Sequence, residues 1–331
     1  MTATVGVIMN ARAGKDIRRL AANAPAPNDA TRAAELRRVI AGAHHAGAER
    51  ILVAADHHRL VERVLAGSNA PVDLLELTTT GTGEDSTAAA RAMAEAEVDA
   101  LVVSGGDGTH RDVARGWRNA PIVALAAGTN NAFPQAIEPT IAGAAAGLVS
   151  VGAASFDDLV AYRALVIDVE VQGRARDLAL VSAAVLRGDH VGGGNVWGID
   201  GVEQVFAAVA EPWSIGLSAL AGVVAPTSRS DDRGVLLDLD PDTPQRVTAP
   251  TAPGYYVDAG LRSVSVVDAG QPVAVRGPAM IAVDGDPRIS LEPDEWASMT
   301  IRRNGPHVID IRRTFSIAVR QGRFYVDPTQ M

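Results

Sequence analysis

The apolar and polar positions of this chain fall into two textures. From residue 1 to about 150, short continuous apolar runs alternate with alanine-rich stretches of helical spacing: TVGVIM, then 31 to 46, RILVAA, then 56 to 66, VDLLEL, then 84 to 97, DALVVS, then 109 to 118, PIVALA, then 134 to 149. Unbroken apolar runs are what strands covered on both faces require, and the helices between them predict a parallel sheet with helices on each side. After about 155 the pattern becomes alternating apolar residues cut by Gly, Pro and Asp turns, as in YRALVIDVEVQG, GVLLDLD, LRSVSVVDAG, AMIAVDG and ASMTIRRNG. That texture predicts antiparallel strands packed as a sandwich. The fold class expected is therefore α/β, with an N-terminal parallel-sheet domain over 1–153 and a β-rich domain over 154–314. The boundary at VSVGAASFDD carries no charged or proline-rich linker, and PDTPQRVTAPTAPG, 241 to 254, reads as a long exposed loop.

Composition narrows the class. A chain of 331 residues with 47% hydrophobic content can fill two ordinary cores. Its formal net charge of −9 argues against nucleic acid and anionic membrane as partners, since both are polyanions. With no cysteine, a disulfide scaffold, a thiolate metal site and a thiol nucleophile are all excluded. MTATVGVIMN reads directly as a strand rather than a leader, and WSIGLSALAGVVAP, 213 to 226, is too short to span a bilayer. These features point to a cytoplasmic protein.

The candidate chemistry lies in three loops that follow strands of the first domain, where ligands of open α/β sheets bind. NARAGKDIRR after the first strand supplies Asn10, Gly14, Lys15, Arg18 and Arg19. SGGDGTH places Gly105, Gly106 and Gly108 around Asp107, with Thr109 next, at a strand-to-helix turn. Glycines there free the backbone to turn and leave amide N–H groups open at a helix start, a setting suited to phosphate. AAGTNNAFP brings Gly128, Thr129, Asn130 and Asn131 after the fifth strand. Each has a plainer reading: Lys15 as a surface lysine, Asp107 as a helix cap, GTNN as an ordinary turn. Neither GxxxxGK[ST] nor GxGxxG follows the first strand. Together the loops hold amides, hydroxyls, carboxamides and cations around one carboxylate, an inventory for phosphoryl transfer.

GGDGT followed one strand later by GTNN, with VDGD at 283 to 286 in a β-rich second half, resembles the superfamily that joins NAD kinases, diacylglycerol and sphingosine lipid kinases, and the acetoin-catabolism protein X group. NARAGKDIRRL is similar to the opening loop of the last of these. The resemblance implies a Rossmann-like first domain completed by 315–331, an antiparallel β-sandwich second domain, and ATP held between them with Mg²⁺. It implies Asp107 as the essential aspartate, with Gly105, Gly106, Gly108 and Thr109 around the donor phosphates. Asn10 and Lys15 match the first phosphate-side loop, Gly128, Thr129, Asn130 and Asn131 the third, and Asp284 the segment near the acceptor or metal. Two stretches depart from the pattern. Arg111 and Asp112 stand where lipid kinases carry an Asn-Glu pair, and GLSALAG, 216 to 222, stands where NAD kinases carry a GSTAY-like stretch.

The activity expected is that of an ATP-dependent kinase of a small hydroxylated metabolite, with NAD the first acceptor to test and a homodimer the expected assembly. A lipid kinase and a non-catalytic nucleotide or metabolite sensor are the alternatives. A second glycine cluster, RGDHVGGGNVWGID at 187 to 200, offers Asn195 and Trp197 as acceptor contacts, with His190 an exposed loop residue.

Overall fold

The computed structural model describes residues 2–15, 27–66, 70–188, 196 and 198–325. Five parallel strands open the chain: β1 (Thr4–Met9), β2 (Arg50–Ala54), β3 (Val72–Leu75), β4 (Ala100–Gly105) and β5 (Pro121–Ala126). They lie side by side in the order β3-β2-β1-β4-β5, with β1 and β4 adjacent. Every residue of β1 and β4 is buried, as their unbroken apolar runs require. Alternate side chains serve opposite faces: Val5 and Val7 join one core with α1 (Asp29–His45), while Ile8, Leu101 and Val103 join another with Met93 of α3 (Gly83–Glu95). Helix α2 (Leu60–Leu65) precedes α3, and α4 (Asp107–Gly116) and α5 (Pro139–Ser150) follow. Helices α1 and α5 touch backbone to backbone, since a Cβ on Gly143 would lie 2.0 Å from the Val39 carbonyl oxygen. The chain leaves β1 to one side of the sheet and β4 to the other, so the loops after these two strands part and open a crevice between them.

A short helix, α6 (Phe156–Leu159), and strand β6 (Val160–Arg163) lead out of the first domain. The second domain is built of antiparallel strands β7 (Val166–Val171), β8 (Arg174–Ala179), β9 (Ser182–Leu186), β10 (Val202–Ala207), β11 (Arg233–Leu239), β12 (Arg246–Ala252), β13 (Tyr255–Asp268), β14 (Pro272–Arg276), β15 (Ala279–Val283), β16 (Asp286–Leu291) and β17 (Trp296–Arg302). They form a seven-stranded sheet, β12-β13-β11-β10-β9-β15-β16, and a four-stranded one, β14-β17-β7-β8. Ile167, Val185, Phe206, Ile281, Met299 and Ile301 fill the space between them. Helix α7 (Leu217–Val224) covers the other face of the larger sheet through Leu217, Leu220 and Ala221. The segment read as a long loop, 241 to 254, contains β12. Its Pro250 is accommodated because β12 is the edge of its sheet, where a missing N–H interrupts no ladder.

The chain then returns to the first sheet. Strand β18 (His307–Ile309) pairs parallel with β5 and antiparallel with β6. Helix α8 (Ile311–Arg320) packs Phe315 and Ile317 on the first core and Ala318 on Leu148 and Ala153. Val319 and Phe324 are exposed, and residues 326–331, Val326 among them, lie outside the described residues. The two domains also share a core, with Leu178, Leu180 and Val209 in one cluster with Val113 and Phe133.

Candidate active site

The crevice at the ends of β1 and β4 is a cleft of about 320 Å³ walled by Asn10, Arg12, Lys15, Gly106, Asp107, Gly108, Thr109 and Gly128 from the first domain and by Asp284 and Asp286 from the second. The glycines provide space. A Cβ on Gly105 would lie 2.4 Å from that of Thr109, and one on Gly128 would lie 2.5 Å from the Gly106 Cα, so the second and third loops meet glycine to glycine. Gly106 caps α4 with φ −92°, an ordinary extended conformation, so it is closeness and not a left-handed backbone that demands glycine there. At Gly108 an added Cβ would meet nothing closer than Asp286 Oδ2 at 3.4 Å.

Asp107 is the first residue of α4, and its carboxylate reaches across to the third loop. Oδ1 accepts from the Phe133 amide at 2.8 Å and the Ala132 amide at 3.0 Å, and Oδ2 accepts from Ala132 at 3.2 Å. The aspartate therefore fastens the end of the GTNN loop to the head of α4. Beneath it the buried His110 meets the Gly106 carbonyl through Nδ1 at 2.9 Å, and burial lowers its pKa to about 4. Thr109 Oγ1 accepts from Asn10 Nδ2 at 2.8 Å, tying the first loop to the second. Lys15 lies at the cleft beside Asp29 at 3.2 Å and holds that carboxyl below its ordinary range. In the third loop Asn131 bonds back to the Gly128 amide and carbonyl, closing its own turn. Asn130 instead reaches the second domain, donating from Nδ2 to the Thr251 carbonyl at 2.8 Å. Its Oδ1 and the Thr129 Oγ1 are buried without a protein partner.

The second domain presents the Val283–Asp286 turn. Asp284 sits at φ 48° and accepts from the Leu180, Val181 and Ser182 amides at 3.0, 2.8 and 3.1 Å. Burial pushes its carboxyl up to about 7 against the pull of Arg111 and those amides, with Asp107 adding to the rise. Facing it, the fully buried Arg111 donates to the Val283 carbonyl and to Asp286 Oδ2, each at 2.8 Å, and lies 3.2 Å from Asp112. Burial raises the Asp112 carboxyl while Arg111 and Arg288 draw it down. The Arg111–Asp112 departure noted in the sequence is thus a buried bridge between α4 and the second domain. Asp107 and Asp284 also line a smaller cavity of about 20 Å³ with Asn130, Gly216 and Ser218.

Asp284 is pinned chiefly as a staple: Oδ1 accepts two amides and Oδ2 one, which leaves a single lone pair of Oδ2 toward any metal. No group of three or more His, Cys, Asp or Glu among the described residues could hold an ion.

Several wall residues escaped the sequence reading. Gly81, Thr82 and Gly83, after β3, line the cleft with His57 and His58 after β2. The GTG stretch, standing at the ligand edge of a strand, was the signal for the first of these. Arg12 donates to the Gly81 carbonyl at 2.5 Å, and buried Arg32 holds the Ala13 and Ala127 carbonyls at 2.8 and 2.6 Å, clamping the first loop to the third. Nothing local marks these arginines. Arg18, Arg19, His190, Asn195 and Trp197 lie outside the described residues. No described helix is long and apolar enough to cross a membrane.

Comparison with known proteins agrees with this two-part build. Residues 5–153 match the family model of the ATP-NAD kinase N-terminal domain, and residues 165–304 match that of the acetoin catabolism protein X C-terminal domain. The acetoin catabolism protein X of Cupriavidus necator is 33% identical over 323 residues, 93% of this chain and 90% of that protein. Among solved structures, yeast NADH kinase complexed with NADH is similar at 12% identity and a TM-score of 0.47, over 98% of this chain and 88% of that one. A putative diacylglycerol kinase from Bacillus anthracis str. Sterne is similar at 11% identity and a TM-score of 0.45, over 92% and 97%. On the match that runs almost end to end, the chain belongs to the acetoin catabolism protein X family, a kinase-like group.

Proposed function

We propose that this protein is an ATP-dependent phosphotransferase that phosphorylates a hydroxyl of a small metabolite, with NAD the first candidate acceptor. The observation that carries the reading is Asp107, a carboxylate at the head of a helix, between two glycine loops, in a cleft that the two domains wall together. Phosphate oxygens would take the amide end of α4, where the helix dipole and unpaired N–H groups favour anions. Asn10, Lys15, Gly105, Gly106, Gly108 and Thr109 would surround the donor phosphates, with Gly128, Thr129, Asn130 and Asn131 shaping the facing loop. In the reaction the acceptor oxygen bonds to the γ-phosphorus as the bond from that phosphorus to the β,γ-bridging oxygen breaks. Asp107 would orient the acceptor hydroxyl and take its proton.

Charge supports ATP entering as its Mg²⁺ complex, the ion carried on the phosphates. Among the described residues, six aspartates line the cleft, at 56, 85, 107, 112, 284 and 286, against Arg12 and Lys15 as lysine or arginine. Arg111 offsets Asp112 and Asp286, and the carboxylates that remain still oppose a bare triphosphate. A homodimer in the cytoplasm completes the reading.

The deciding experiment incubates the full-length protein with γ-labelled ATP and Mg²⁺ against NAD, diacylglycerol in mixed micelles, and buffer alone. Label on NAD is the expected result. Label on diacylglycerol identifies a lipid kinase, and nucleotide binding without transfer to any acceptor identifies a sensor.

A further inference from the structure

Asp107 is held by two amides, and what holds those amides comes from the other domain. Arg229, between α7 and β11, uses all five of its N–H donors. Nε and Nη2 grip Glu211 at 2.9 Å each, Nη1 donates to the Phe133 carbonyl at 2.9 Å and to Tyr162 Oη at 2.8 Å, and Nη2 donates to the Ala132 carbonyl at 2.5 Å. The Ala132 carbonyl and the Phe133 N–H belong to one planar peptide group. Its oxygen faces the Arg229 cation, and its N–H faces Asp107 Oδ1 at 2.8 Å. Glu211, Arg229, the 132–133 peptide and Asp107 thus form a chain in which charge alternates and each link polarises the next. The Arg229 and Glu211 side chains are only 17% and 14% exposed, so solvent screens the chain little. Neither residue lines the cleft.

We propose that the Arg229–Glu211 pair of the second domain positions the Asp107 carboxylate through the Ala132–Phe133 peptide, so that the orientation of the reacting aspartate depends on the second domain being docked. Arg229 is a positioning residue. It makes the two oxygens of Asp107 unequal, with Oδ1 taking both shorter amide bonds, and a fixed carboxylate plane is what in-line transfer to an oriented hydroxyl needs. A clamp that merely joined domains would not require the bonded carbonyl to share a peptide with the amide that holds the aspartate. The consequence for turnover rests on the phosphotransferase reading, whereas the coupling itself does not.

The test compares the parent with Arg229→Met/Glu211→Met, which removes both charges together and so leaves no unpaired charge, though the Ala132 and Phe133 carbonyls and Tyr162 Oη lose their donor, and with Arg229→Lys, which keeps the charge but loses the fork. In the amide spectrum of the full chain, the Phe133 proton should move upfield in the double variant and by less in Arg229→Lys; an unmoved resonance overturns the coupling even in a protein that transfers no phosphate. With phosphotransfer, kcat should fall about 10-fold or more in the double variant while the KM for ATP stays near the parent value, as for supporting residues behind a reacting group. Placed on Asp107→Asn, the same double change should cost nothing further, because its route to the reaction is already cut. Fully additive losses, or an unchanged kcat, overturn the positioning role. A parent without transfer to any acceptor sinks the phosphotransferase reading instead and leaves the Phe133 shift to decide the coupling.

Discussion

Asp107 and Asp284 are buried aspartates on opposite walls of one cleft, and both accept backbone amides from a distant loop. They differ in what surrounds them. Asp284 takes three amides, lies against Arg111 and is 7% exposed on a strained turn, so its carboxylate is consumed in fastening β15 to the 180–182 segment. Asp107 takes two amide groups at the head of a helix whose first turn opens on the cleft. An aspartate inside a recognisable motif can therefore be a reacting group or a staple, and its setting, a helix start open to the cleft or a strained turn against a buried arginine, distinguishes them. Replacing each by asparagine tests the difference and gives the largest effect expected. Asp107→Asn should fold and bind nucleotide while turnover falls by roughly 10² to 10⁴, the scale for losing a positioned base. Asp284→Asn sets an NH₂ group against amide donors and should instead lower stability by about 1–3 kcal/mol. Calorimetric melting beside a transfer assay reads both, and the contrast breaks if Asp107→Asn keeps the parent rate.

The same two walls should answer pH in opposite senses. His110, under the glycine loop, has a pKa lowered by burial from 6.5 to about 4. The folded state therefore binds fewer protons than the unfolded one between those values, and His110 contributes stability that is present above 6.5 and lost as pH falls toward 4. Asp284 has a pKa raised from 3.8 to about 7, so its contribution is present below about 4 and lost as pH rises through 7. At about 1.4 kcal/mol per unit, each is worth at most about 3–5 kcal/mol. In the parent they offset one another from pH 4 to 6.5. His110→Asn should unmask a stability that falls as pH rises, and Asp284→Asn one that rises with pH over the same range. Parallel melting curves for parent and both variants would contradict the contrast.

What the sequence revealed of each wall follows from the range of the interactions. The first wall is local. Apolar runs at β1, β4 and β5 are each followed within a few residues by the loops that meet at the cleft, so GGDGT and GTNN could be placed before any coordinates. The second wall depends on distant partners. Arg111 reaches Val283 and Asp286, Arg229 reaches Ala132, and β18, three residues long, joins a sheet begun near residue 4. An arginine in a loop looks the same whether it bonds water or a carbonyl from another domain, and a three-residue strand has no readable period. Strand β12 was hidden by Pro250 within it and the prolines on either side, which mark loops in general, although a proline is tolerated at a sheet edge.

Within the first wall the glycines are unequal, and a smaller effect sharpens the point. Alanine at Gly128 would push a methyl to 2.5 Å from the Gly106 Cα, and backbone cannot yield as a side chain does, so the two loops must separate. Overpacking of this kind costs about 1–3 kcal/mol, and ATP affinity should fall with it. Gly108→Ala meets only side-chain ends, Asp286 Oδ2 at 3.4 Å and Arg111 Nη2 at 3.7 Å, and should bind nucleotide within about twofold of the parent, in the range of a neutral surface change. Equal losses at the two positions would mean that the amides of α4, rather than the contact between loops, set the requirement.

The smallest effect expected is at Lys15, and it bears on how the first wall attracts phosphate. Its ammonium is already beside Asp29 at 3.2 Å, and the two side chains are 32% and 49% exposed. A pair that open to water holds its partners weakly, so Lys15 can exchange Asp29 for a phosphate oxygen at little cost, yet the contact it gains is screened as well. Lys15→Met should therefore weaken nucleotide binding by about 1 kcal/mol, at the low end for a charge-assisted contact, with turnover at saturating ATP unchanged. Asp29→Asn should do the reverse and tighten binding slightly, because it frees the cation without removing it. Titration calorimetry at low and moderate salt separates the outcomes. Both effects should shrink as salt rises, and an Asp29→Asn protein that binds more weakly than the parent would mean that the ion pair shapes the first loop instead of competing with the phosphate.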